Sequence, residues 1–77
     1  MGKTMNPVER YADACMKALT LYGKSVLFDA DVIGDCNNRL YRIAVMYDNG
    51  LLGYRDAIKF IAEEMTEMMT YVDEYNK

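Results

Sequence analysis

The last third of the chain commits to one shape. Ile58, Ile61, Met65, Met68, Val72 and Tyr75 recur at alternating steps of three and four residues. A helix turns about 100° per residue, so this spacing gathers all six onto one apolar face. Asp56, Glu63, Glu67 and Glu74 fall within roughly 20° of a common line on the opposite side. A short helix of this kind is marginal in water by itself, and the rest of the chain must supply surfaces that cover its apolar face.

Two further helices are predicted upstream. Asn6-Pro7-Val8-Glu9 reads as a helix start: Asn6 caps, Pro7 suits the first helical position, and Glu9 can close a capping box. Helix 1 then covers about 7–23, with Val8, Ala12, Cys15, Leu19 and Tyr22 inward and Gly23 as a left-handed stop. Helix 2 has three candidate caps, Ser25, Asp29 and Asp31. Its pattern of Ile33, Cys36, Leu40, Ile43, Ala44 and Tyr47 fits about 29–48, ended by Asn49-Gly50. A rival reading takes the alternation of Tyr41, Ile43, Val45 and Tyr47 as a strand before an Asp48-Asn49-Gly50 hairpin turn. Only Leu51 and Leu52 separate that turn from Gly53, which leaves almost no room for a second strand. Helix 3 covers about 53–74. The expected fold is all-α: one domain, 1–77, forming a small antiparallel three-helix bundle with short connections.

Composition narrows the function classes. The chain has 77 residues, 52% of them apolar, which excludes disorder. A domain this small buries only a modest core, so self-association into a homo-oligomer, a homodimer being the simplest, is expected to support it. No apolar run approaches the roughly 18 residues of a membrane span. Residues 1–10 carry no signal-peptide core, and Asn6 stands where a myristoylation signal needs Ser or Thr, so the expected location is cytoplasmic. Cys15 and Cys36 fall on two different helices at a spacing that matches neither CxxC nor a zinc cluster, and read as reduced packing thiols. There is no histidine, and Ser25 is the lone serine. Triad-type hydrolysis is thereby excluded.

Three charged constellations have functional readings. Glu63-Glu64-Met65-Thr66-Glu67 spells EExxE, and its setting, IAEEMTEMM, resembles the first metal-binding helix of the all-α nucleotide pyrophosphohydrolases of the MazG type. That resemblance covers about ten residues. It implies Mg²⁺ held by Glu63, Glu64 and Glu67, with further ligands from a second protomer, because the family's following carboxylate helix has no counterpart here. The plain alternative is a solubilising face. Asp29-Ala30-Asp31-Val32-Ile33-Gly34-Asp35 resembles the start of an EF-hand loop, but position 12 is Leu40 rather than a bidentate acid, and helix capping explains these acids better. Lys3, Arg10, Lys17 and Lys24, seven apart, form a basic stripe that would suit phosphates or an acidic helix of a neighbouring chain. A net charge of −3 argues against nucleic acid as the partner, since the field of the whole protein opposes approach to a polyanion.

Apolar residues placed outside the expected core give a more direct indication. Ala14, Ala18 and Leu21 carry the apolar arc of helix 1 towards its basic stripe, and Val45 and Met46 flank the core face of helix 2. Surplus apolar surface marks an interface. With seven methionines and seven tyrosines to supply adaptable contact area, the leading expectation is a non-enzymatic protein–protein interaction module that needs no cofactor. Its size and acidity fit a small inhibitor of a host protein, of the phage or mobile-element type. The partner-binding candidates are Asp56, Glu63, Glu67, Glu74, Leu21, Val45 and Met46. The competing expectations are the Mg²⁺ enzyme assembled across a dimer and nucleic-acid binding through helix 1.

Overall fold

A computed structural model describes residues 5–76 as three helices, α1 (Pro7–Ser25), α2 (Ala30–Asp48) and α3 (Tyr54–Tyr75), each packed on the other two. The direction of the chain reverses at each connection. Gly23 near the end of α1 meets Ile33 near the start of α2. Across α2 and α3, Tyr47 stacks edge-on with Tyr54 and Arg39 pairs with Glu64. The result is the all-α antiparallel three-helix bundle that the spacing of apolar residues predicts; the strand reading of 41–47 is excluded, since those residues lie inside α2.

The helix starts follow from local chemistry. Asn6 Oδ1 accepts from the Glu9 N–H at 2.7 Å while Glu9 Oε1 accepts from the Asn6 N–H at 3.4 Å, completing the capping box. Of the three candidate caps for α2, Asp29 is used: its carboxylate accepts from the Asp31 N–H at 2.9 Å. Ser25 instead belongs to the last turn of α1. α3 starts at Gly53 with no side-chain cap, and Asp56 in its first turn faces the positive end of the helix dipole.

The end of α1 differs from expectation. Gly23 is not the left-handed stop; it sits inside the helix, buried, where a Cβ would lie 2.4 Å from Ile33 Cδ1. The glycine is there to let α2 approach. The stop falls at Leu27, with φ 58°. The Phe28 N–H donates to Gly23 O at 2.8 Å and the Leu27 N–H to Lys24 O at 3.3 Å, the paired bonds of a Schellman motif. α2 ends the same way with the expected residue: Gly50 has φ 77°, Leu51 N–H donates to Met46 O at 2.9 Å and Gly50 N–H to Tyr47 O at 3.0 Å.

The core comprises Val8, Ala12, Met16 and Leu19 of α1, Phe28 of the loop, Ile33, Cys36, Leu40 and Ala44 of α2, and Ala57, Ile61, Met68 and Val72 of α3. No polar or charged side chain is buried among the described residues. α1 is rotated from the expected face, so that Met16 and Gly23 are buried while Cys15 and Tyr22 are half-buried. Tyr75 is likewise exposed, and Ala57 takes a core place. Phe28 closes the end of the bundle between the rings of Tyr71 and Tyr75, at centroid distances of 5.7 and 5.1 Å. Truncating a central residue such as Leu40, fully buried, to alanine costs about 2–5 kcal/mol, against a total of roughly 4–12 kcal/mol for a chain of this length.

Candidate functional site

A three-helix bundle has three outer seams, and here they differ. The α1/α3 seam is tied by the Tyr22 hydroxyl, which donates to Asp73. That bond to a carboxylate holds the Tyr22 phenol above its ordinary pKa. The other two seams, on either flank of α2, are open grooves.

The α1/α2 groove is the larger, about 730 Å³. Met16, Phe28 and Ile33 belong to its lining and to the core alike. Leu21, 70% exposed, stands at its edge with Lys17 and Lys24. Lys17 is already bridged to Asp13, Nζ to Oδ2 at 3.0 Å. The α2 wall is low because Ala30 and Gly34 contribute little or no side chain. Gly34 is exposed in the second turn of α2, and a Cβ placed there meets nothing within 4 Å. Glycine inside a helix costs about 1 kcal/mol relative to alanine. The fold gains no close approach in return, so the steric reason that explains Gly23 is absent at Gly34.

The α2/α3 groove, about 390 Å³, has an apolar floor of Ile43, Met46 and Phe60. Its α2 wall is basic, with Arg39 and Arg42, and its α3 wall is acidic, with Glu63, Glu64 and Glu67. Arg39 Nε donates to Glu64, joining the inner member of each wall. Arg42, Glu63 and Glu67 stay exposed and form no ion pair among the described residues.

The expected partner-binding residues therefore separate. Glu63, Glu67 and Met46 share the α2/α3 groove, and Leu21 lies at the α1/α2 groove. Val45, 37% exposed, faces outward from α2 and lines neither. Asp56 and Glu74 are exposed near opposite ends of α3. The acidic line exists, but Arg39 and Arg42 beside it break the single-signed field that mimicry of a phosphate backbone requires.

The competing constellations fare differently. Glu63, Glu64 and Glu67 are not brought together as a metal-holding set; no group of three candidate ligands occurs among the described residues. Adjacent Glu63 and Glu64 point about 100° apart on the helix, and Arg39 engages Glu64. In the basic stripe, Lys3 lies outside the described residues, Lys17 is paired with Asp13 and Leu21 interrupts the row. Of the acids in the EF-hand-like segment, Asp29 caps α2 by accepting from the Asp31 N–H, and Asp31 lies in the first turn of that helix.

Both cysteines are free thiols. Burial pushes the Cys36 thiol up, while the Arg39 guanidinium pulls it back down. Burial also raises Cys15, against a hydrogen bond with Tyr11 that lowers it. Neither has the lowered pKa of a reactive thiolate.

Among the groove residues that sequence reasoning misses are Gly34, Arg42 and Phe60. Gly34 carried a signal, as a glycine inside a helical pattern. The two others depend on which face of α2 meets α3. No helix among the described residues is long and apolar enough to cross a membrane. No protein-family model, curated protein or solved structure matches the chain.

Proposed function

We propose that this chain is a non-enzymatic protein-binding module that receives an apolar helix of another protein in the α1/α2 groove. The observation that carries this reading is Gly34. It keeps one wall of an apolar groove open at a cost in helix stability, and no neighbouring atom of the fold needs the space. The groove's lining suits an amphipathic helix laid along it, apolar side against Met16, Leu21 and Ile33 and an acidic residue towards Lys24. Action in the cytoplasm, where thiols stay reduced, accords with two free cysteines. Inhibition of a host protein is one form such binding would take, with the bundle covering a surface that the partner needs.

The test exploits the open space. Gly34→Leu fills the groove and replaces the least helix-prone residue but proline with one of the best, so the variant should melt higher than wild type. Capture from a lysate of the source should recover one near-stoichiometric protein with wild type, and lose it with both Gly34→Leu and Leu21→Asp. Recovery unchanged by filling the groove would remove the α1/α2 site. Recovery of no protein would refute the module itself.

A further inference from the structure

From the α2/α3 groove we infer that a second copy of this chain docks there, as a two-fold symmetric dimer in which Arg42 of each protomer meets Glu63 of the other. The groove is self-complementary. One wall carries cations, the other carboxylates, and the apolar floor of Ile43, Met46 and Phe60 runs between them. A two-fold axis lying along the groove places α2 of one copy over α3 of the other, and each basic wall then faces an acidic one. An axis across the groove would instead set arginines against arginines.

The register supports the pairing. Arg39 and Glu64 stand level across the antiparallel seam, so three residues further along α2, Arg42 stands level with Ile61. Glu63 is then displaced by only about 3 Å along the axis, at 1.5 Å per residue, within the reach of an arginine side chain. Glu67 lies a further turn along, close to the level of Arg39. Two groups left unpaired within the protomer are the ones this dimer pairs: Arg42 and Glu63, like Glu67, are exposed and form no ion pair among the described residues. Phe60, 42% exposed, is covered at the centre. A contact confined to this groove belongs among weak assemblies whose strength falls with salt.

Sedimentation velocity between about 1 µM and about 1 mM decides the matter, a range that spans weak association. Wild type should pass from monomer to dimer, less readily at high salt. Arg42→Glu and the double variant Glu63→Lys, Glu67→Lys should each stay helical by circular dichroism and raise the dissociation constant about ten-fold or more, because symmetry applies each reversal twice. An equimolar mixture of the two should form a heterodimer, since both crossings are again attractive. Arg42→Gln serves as a milder variant with the same direction of effect. A wild type that stays monomeric throughout would overturn the dimer and leave the α1/α2 groove reading intact, because the two surfaces lie on different flanks of α2. Dimers insensitive to both reversals, or reversals that the mixture does not rescue, would overturn it equally.

Discussion

Leu27 offers the sharpest quantitative test of the structure. It occupies the left-handed position that ends α1, with φ 58° and 84% of its surface exposed. For a residue with a Cβ that conformation costs about 1–2 kcal/mol. Replacing it by glycine removes the strain but adds about 0.5–1 kcal/mol of backbone entropy to be lost on folding. The side chain's small buried fraction is worth at most about 0.5 kcal/mol of the 1.5–3 kcal/mol for a fully buried leucine. Leu27→Gly should therefore stabilise by about 0.5 kcal/mol, raising Tm by about 2–4 °C in a domain of this size.

Two controls isolate the backbone term. Leu27→Ala keeps the strain and removes the side chain, and should fall within about 0.5 kcal/mol of wild type. Gly50→Ala creates at the end of α2 the strain that Leu27 already bears, and should destabilise by about 1 kcal/mol. Urea unfolding of all three with wild type, at a common m-value, gives the comparison. If Leu27→Gly proves no more stable than Leu27→Ala, residue 27 does not occupy the left-handed region and the account of the α1 terminus is wrong.

Two other positions carry predictions. At Gly23 an alanine gains about 1 kcal/mol of helix propensity but meets the Ile33 δ-methyl at 2.4 Å. Ile33→Val, which removes that methyl and costs about 0.5–1.5 kcal/mol alone, should cost little or nothing in a Gly23→Ala background; an additive double-mutant cycle would show that the two side chains do not compete for one space. Cys36 lies buried, with its thiol raised by desolvation. A raised folded pKa stabilises the protein fully below the unfolded value and ceases to do so as pH rises through the folded one. Stability should thus fall as pH climbs past about 8.5, the ordinary thiol value, with a weaker dependence in Cys36→Ala; equal slopes of urea midpoint against pH in the two proteins would refute this.

What was legible in the sequence is what local chemistry decides. Asn6-Pro7-Val8-Glu9 contains every group of its capping box, and Asn49-Gly50 contains the glycine its turn demands. The alternating threes and fours of α3 place Ile61, Met68 and Val72 in the core. The failures concern properties shared between helices. A glycine after an apolar run signals a terminus only if no other helix comes close, and Gly23 is instead the point where α2 presses against α1. Cys15 and Met16 are adjacent, and a rotation of α1 by part of a residue step decides which of them is covered. The candidate site divided for the same reason: exposure of Leu21 and Glu63 could be read from each helix separately, whereas the opposition of Arg42 to Glu63 requires the α2/α3 register.

Both open grooves use α2 as a wall, and α2 is the helix least able to sustain itself. It contains Gly34, Asp35, Asn37 and Asn38 in succession, apart from Cys36, followed by the β-branched Ile43 and Val45, all of low intrinsic helix propensity. α3 holds no glycine or asparagine within its span, and its exposed positions carry Lys59, Glu63 and Glu67. The stability of α2 therefore comes from Ile33, Cys36, Leu40 and Ala44 packing on its neighbours, and local opening should reach its exposed amides before those of α3. Hydrogen exchange of the free monomer should show α2 exchanging faster than the middle of α3. Occupation of either groove covers that same helix, so dimerisation or partner binding should slow α2 more than α3. A free protein in which α3 exchanges first would contradict this order of stability, and with it the assignment of α2's stability to the packing of Ile33, Cys36, Leu40 and Ala44.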